Sequence, residues 1–299
     1  MRRHILVTGG SGQVGTELSR LISPSDMELH FPTRADLDLS SETSVRSYLA
    51  SHEWSSIINC AAYTAVDQAE SDVTAAMTAN ALAPAWLAQF ARQRDVPLVH
   101  VSTDYVFDGA LPGEYAPDDK INPLTVYGAS KMAGELVVRA QCPGAIIVRT
   151  AWVISPHGRN FLKTMLRLAS EGKREIRVVD DQFGSPTIAQ DLATALLAIT
   201  NDVISGKVSK GGTYHFVNQG VTTWAGLAGA IFEISRRHGG AWAQVIPITS
   251  AEYPTAAKRP ANSALSSKSL REVFGIVPRG WEEALENTIE RVLNQKIEG

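Results

Sequence analysis

The stretch His4-Ile5-Leu6-Val7-Thr8-Gly9-Gly10-Ser11-Gly12-Gln13-Val14-Gly15 decides how this 299-residue chain is read. Residues 4–8 form a short apolar run that stops at glycines, which predicts a buried strand. The glycines at 9, 12 and 15 then give Gly-x-x-Gly-x-x-Gly. Residues 13–22 follow as a helix with Val14, Leu18, Leu21 and Ile22 as its apolar positions. Glycine permits the tight turn and lets backbone N–H groups approach a diphosphate, while the last glycine lets helix and strand pack closely. The helix N-terminus adds partial positive charge at the same point. Strand, glycines and helix in this order point to dinucleotide binding; a plain glycine turn is the alternative.

Working outward, further strands are expected at Met27–Phe31 (stopped by Pro32), Ser56–Ala61, Val96–Ser102 and Ala145–Arg149. Helices are expected from near Ser41, with Val45, Tyr48 and Leu49 inward, then over 73–94 and 124–141. Apolar strands alternating with helices imply an α/β fold: a Rossmann-type, doubly wound parallel sheet that binds ligands at the carboxyl ends of its strands. After residue 150 the pattern loosens. Helices are expected over 159–171, Ile188–Ile199, Trp224–Arg237 and 281–296, and extended segments at Ile176–Val179, Tyr214–Val217 and Val245–Ile248. This half reads as a second, smaller α/β substrate lobe. The expected division is 1–151 for the cofactor and 152–299 mainly for substrate, with segments near 180–217 returning to the first domain.

Composition narrows the function. With 44% hydrophobic and 20% charged residues, the chain reads as an ordinary globular protein. A net charge of −3 offers no basic field for nucleic acid. No apolar run approaches a membrane span, and Ile5-Leu6-Val7 is too short for a signal-peptide core. Cys60 and Cys142 do not make a disulfide framework, which fits a cytoplasmic protein.

Two motifs carry chemistry. In Thr125-Val126-Tyr127-Gly128-Ala129-Ser130-Lys131, helical spacing stacks the Tyr127 phenol and the Lys131 ammonium on one face. A cation beside tyrosine favours phenolate, so the Tyr127 pKa is expected to fall from about 10 toward working pH. Such a group exchanges a proton with a carbonyl or alcohol; a solvated Tyr–Lys pair is the plainer reading of the spacing alone. Ser102-Thr103-Asp104-Tyr105-Val106-Phe107 closes the fourth strand, where the Thr103 hydroxyl can donate to a substrate oxygen. Asp104 as a turn cap is the alternative there. After the second strand, Thr33 and Arg34 suit a ribose 2′-phosphate and Asp36 a free 2′-hydroxyl. The balance favours NADPH, with NADH as a second donor.

The glycine spacing, Thr103, Tyr127 and Lys131 together resemble the extended short-chain dehydrogenase/reductase superfamily. The runs Cys60–Asp67, Ser102–Asp108, Tyr127–Glu135, Arg149–Val153, Asp181–Thr187 and Tyr253–Pro260 make the resemblance specific: over nearly the whole chain it is similar to the dTDP-4-dehydrorhamnose reductase family. The resemblance implies reduction of a nucleotide-sugar 4-keto group. Tyr127 would be the proton donor, Lys131 would lower its pKa and bond the nicotinamide ribose, and Thr103 would assist. Gly9, Gly12, Gln13, Val14, Gly15, Arg34, Asp38, Leu39, Ala61, Ala62 and Tyr63 would meet the cofactor. Thr103, Asp104, Trp152, Gln182 and Arg259 would meet the substrate. Asn59 and Cys60 would line the cofactor, and Asn80 would support the sheet beneath it.

Sister functions are weighed on the same residues. Sugar-nucleotide 4,6-dehydratases carry Thr-Asp-Glu on strand four, and here the third position is Tyr105. The regulatory subunit of methionine adenosyltransferase shares the fold without needing turnover, and an epimerase is a further alternative. Some family members pair through magnesium bound near the helix after Pro-Thr. Ile188-Ala189-Gln190-Asp191 departs from that pattern, which speaks against a magnesium-bridged pair and assigns no metal ligand, with magnesium left open; the chain is read as a monomer or homodimer.

Overall fold

The computed structural model describes residues 2–209 and 211–295. β1 (Arg3–Thr8) lies inside a six-stranded parallel sheet with β2 (Met27–His30), β3 (Ser56–Asn59), β4 (Leu98–Thr103), β5 (Ile146–Thr150) and the strand Gly212–His215. The spatial order is Gly212–His215, β5, β4, β3, β1, β2. Both faces of β1 are covered, which is why its apolar run is continuous rather than alternating with polar residues. Ile5 and Val7 pack toward Leu18, Leu192 and Leu196. Leu6 packs on the opposite side with Val45, Leu49 and Leu87.

A third apolar cluster holds the helices Phe161–Ser170, Trp224–Arg237 and Trp281–Gln295 together with the strand Glu175–Val179. The expected 281–296 helix is seen over Trp281–Gln295, and residue 296 lies outside the described residues.

Several boundaries differ from expectation for local reasons. The first helix is Gln13–Arg20; Leu21 is extended and Ile22 is 99% exposed. Pro24 disfavours helical backbone just before it. β3 stops at Asn59, two residues early, as the chain leaves the sheet toward its ligand edge. The 73–94 segment is helical throughout but contains a π-turn over Thr78–Leu82. Pro84 cannot donate to the Asn80 carbonyl, and its ring crowds that oxygen, so the helix widens there. That carbonyl abuts Gly134, where a Cβ would sit 2.0 Å from it.

Candidate active site

The glycine loop is built by backbone constraints. Gly9 has φ +73°, and a Cβ there would lie 2.7 Å from the Ala61 nitrogen. A Cβ on Gly15 would lie 2.2 Å from the Gly9 oxygen. The helix starts at the N-cap Gly12 with no side chain capping its first turn, which leaves backbone donors for an anion. This cradle, which side chains would fill, fits a dinucleotide diphosphate. Ala61, Ala62 and Tyr63 are partly exposed beside it. Gln13 and Val14 open the helix, and the Gln13 amide oxygen accepts from Ser155 Oγ at 3.1 Å and Asn160 Nδ2 at 2.9 Å. Beyond β2, Asp36 is closed onto Thr33, accepting from its N–H at 3.0 Å and its hydroxyl at 2.6 Å. Asp38 accepts from the Ser40 N–H and hydroxyl, and Arg34 extends into solvent 3.9 Å from the Asp38 carboxylate. Leu39 packs on the core beneath.

Asn59 does not line a cofactor site. It is 1% exposed, accepts from Thr8 Oγ1 at 2.6 Å and contacts His100 Nδ1 at 2.9 Å. Asn80 is fully buried. Its amide donates to the Tyr63 carbonyl at 3.0 Å and to Ser130 Oγ at 2.9 Å. Ser130 Oγ in turn donates to the Tyr127 carbonyl at 2.7 Å. Asn80 therefore ties the loop after β3 to the helix that carries Tyr127, and the π-turn is what aims it there.

That helix runs Val126–Gln141 and is capped by Thr125, whose hydroxyl accepts from the Gly128 N–H at 3.0 Å. Gly128 lets the helix meet the turn Asp104–Val106; a Cβ would lie 2.2 Å from the Tyr105 carbonyl. Tyr127 consequently packs edge-on against Tyr105, with ring centroids 5.3 Å apart. Burial pushes the Tyr127 phenol above its ordinary pKa, and hydrogen bonding with Thr103 opposes the shift. This corrects the expected fall. The Lys131 ammonium donates to the Val101 carbonyl at 2.7 Å instead of charging the phenol. Burial also brings Lys131 down to about 8, opposed by Glu135.

Thr103 Oγ1 donates to Asp104 Oδ1 at 2.9 Å. Asp104 is 3% exposed and its Oδ2 has no hydrogen-bond partner. Burial raises its pKa to about 6, with hydroxyls of Ser263 and Thr103 opposing. Arg259 reaches the same corner from the far end of the chain. It donates to the Tyr105 hydroxyl at 2.9 Å and to Asp67 Oδ2 at 2.5 Å. Thr103, Asp104, Tyr105, Tyr127 and Arg259 are thus joined by direct contacts. Lys131 lies below them, against β4.

Trp152 and Gln182 stand apart from that chain of contacts. Trp152 has φ +47° and stacks on Trp224 at 3.7 Å; a Cβ on Gly184 would meet its indole at 2.5 Å. A bulky residue in that backbone region is held there by its surroundings. Gln182 donates to Ser250 Oγ at 2.9 Å, next to the Asp181–Ser250 hydrogen bonds. In the segment after Pro186-Thr187, Asp191 is held by Arg279 through two bonds of 3.0 Å, and Gln190 accepts from Arg291.

One support was missed from sequence. Glu135 and Arg149, each 1% exposed, form a two-pronged pair at 2.8 and 2.7 Å. It pins the Tyr127 helix to β5. The only local signal is that Glu135 falls one turn after Lys131, on the same face.

The RmlD substrate binding domain family matches residues 2–294. This chain belongs to that family. It is 41% identical over 289 residues to the dTDP-4-dehydrorhamnose reductase of Aggregatibacter actinomycetemcomitans, covering 95% of this chain and 97% of the relative. The NADP complex of the Bacillus anthracis dTDP-4-dehydrorhamnose reductase superimposes with a TM-score of 0.89 at 35% identity, over 97% of this chain and all of that one (100%). The Clostridium acetobutylicum dTDP-4-dehydrorhamnose reductase gives 0.89 at 36% identity, over 97% and 99%. The family assignment and the six-stranded Rossmann-type sheet agree with the sequence reading. No helix among the described residues is long and apolar enough to cross a membrane.

Proposed function

We propose that this chain reduces the 4-keto group of dTDP-4-dehydro-β-L-rhamnose with NADPH to give dTDP-β-L-rhamnose, accepting NADH as a second donor. We further propose that it works in the cytoplasm, as a monomer or homodimer. One observation carries the reading in a member of this family: a buried phenol, a threonine hydroxyl and an unpartnered carboxylate oxygen lie together, the phenol in one cluster with Tyr63, two residues after the Ala61 backbone that Gly9 abuts.

NADPH, when bound, supplies the hydride for the ketone carbon. Tyr127 delivers the proton to the developing alkoxide. Its raised pKa keeps the phenol protonated at neutral pH, which suits an acid. Thr103 turns its hydroxyl from Asp104 to the same oxygen. Lys131, shifted to about 8, is still largely an ammonium at neutral pH. It bonds the nicotinamide ribose and holds positive charge under the site. Arg34 takes the ribose 2′-phosphate, with Asp36 already closed onto Thr33. Residues 1–151, with segments near 180–217 returning to them, serve the cofactor, and the rest of 152–299 mainly the sugar nucleotide. Asp104, Trp152 and Gln182 contact the sugar nucleotide, and Arg259 faces its diphosphate as the cation planar enough for two-pronged binding.

The test is NADPH oxidation with dTDP-4-dehydrorhamnose supplied. Tyr127→Phe is expected to lower kcat by about 10²- to 10⁴-fold while NADPH binding is retained. Near-normal turnover in that variant refutes the acid role. NADP binding by the parent chain without oxidation would favour the non-catalytic regulatory-subunit reading.

A further inference from the structure

Three side chains that the reductase chemistry does not use meet at the outer strand pair of the sheet. β1 and β2 run parallel, with His4 beside Glu28 and Leu6 beside His30. Residues two apart on a strand share a face, so His4, Glu28 and His30 lie on the same side. His4 Nδ1 is 2.9 Å from His30 Nε2. Glu28 carboxylate oxygens lie 3.8 Å from His4 Nδ1 and 3.9 Å from His30 Nε2.

We propose that His4, Glu28 and His30 form a binding site for a divalent transition-metal ion of the zinc class. Around a tetrahedral zinc with bonds of about 2.0–2.1 Å, neighbouring donors stand about 3.3 Å apart. The three observed separations bracket that spacing, so small side-chain rotations bring all donors onto one ion. Two imidazoles and a carboxylate are a donor set that zinc takes with one position left open. Magnesium and calcium prefer all-oxygen surroundings. Among the described residues, no other three His, Cys, Asp or Glu side chains converge this closely.

The surroundings fit. His30 meets the edge of Trp54 at 5.3 Å, and the His52 ring lies 5.9 Å from His30. These rings restrict the imidazole on one side and leave the other open to water. Arg2 is the competing cation, 3.2 Å from Glu28 Oε2. Its side chain is 66% exposed, so leaving that contact costs little. A bound ion would fasten β2, the four-residue outermost strand, to β1. This site is separate from the proposed reductase chemistry and does not depend on it.

The experiment is titration of the full chain, stripped with chelator and dialysed, with zinc chloride, followed by calorimetry and melting midpoint, and with cobalt chloride, followed by its visible spectrum. The expected result is one zinc per chain, a four-coordinate cobalt band and a midpoint that rises with zinc. His4→Gln and His30→Gln should each weaken zinc binding at least about tenfold and remove the midpoint rise. Glu28→Gln, at a side chain 39% exposed, repeats the test without disturbing the sheet. Circular dichroism and NADPH oxidation should match the parent in all three. Absence of zinc binding in the parent, or undiminished binding in a folded His4→Gln/His30→Gln double variant, overturns the proposal.

Discussion

The glycine loop and the Arg259 corner are built by opposite means. The loop is made almost entirely of backbone: Gly9 and Gly15 are required because a Cβ at either would strike main-chain atoms within 3 Å. Its glycines lie in one short stretch, Gly9 to Gly15, closed against the Ala61 backbone. The Arg259 corner is made of side chains from three distant segments, with Arg259 joined to Asp67 and Tyr105 across 192 and 154 positions. A backbone device tolerates almost no substitution, whereas a side-chain device can lose a member and keep the fold.

Three variants bear on that contrast. The largest effect is expected from Gly15→Val. The added side chain begins 2.2 Å from the Gly9 carbonyl and 2.6 Å from Gly10 Cα. The first helix must shift off the strand, and NADPH affinity measured by fluorescence titration should fall about a hundredfold, in line with an overpacking cost of about 1–3 kcal/mol. Near-parental affinity would show that the loop is not held by that contact.

Asp104→Asn should have an intermediate effect, visible in stability. The folded pKa is raised from 3.8 to about 6, so in that interval the folded state binds more protons than the unfolded state. Stability contributed by this group is therefore full below pH 4 and is lost as pH rises through about 6. Removing the charge should flatten that loss and stabilise the chain at neutral pH by up to about 3 kcal/mol, from 1.36 kcal/mol per pKa unit. Denaturant midpoints measured across pH 4 to 7 check it, and an unchanged slope would place the burial cost elsewhere.

Arg259→Ala should have the smallest effect on the fold. Its ion pair is partly exposed, with side-chain exposures of 23% and 45%, and such pairs contribute about 1 kcal/mol or less. KM for the sugar nucleotide should rise about tenfold, roughly the loss of one charge-assisted contact, while KM for NADPH stays within about twofold. Equal changes in both constants would mean that the residue supports the corner without meeting substrate.

Much of the sheet was legible because its signals are local. Apolar runs, the glycines after β1 and the serine cap near residue 41 each act over a few residues. The missed boundaries have equally local causes, which a longer apolar pattern masked: Pro24 beyond the first helix and Pro84 within the long one. The site was legible only in part. Helical spacing put Tyr127 and Lys131 on one helix, but it did not set their electrostatics. Spacing brings the two side chains to one face, whereas the direction of the Lys131 ammonium depends on the Val101 carbonyl of a neighbouring strand.

Sequence by itself thus determined the alternation of elements, the glycine cradle and the shared helix face of Tyr127 and Lys131, because these follow from steric rules and periodicities within one turn or one strand. Tertiary structure alone decided that Asn80 bridges to Ser130, that Glu135 pairs with Arg149 in the core, and that His4, Glu28 and His30 share one face. Each depends on strand register or on a contact between distant segments. Register is set when the whole core packs, not by the residues that end up adjacent.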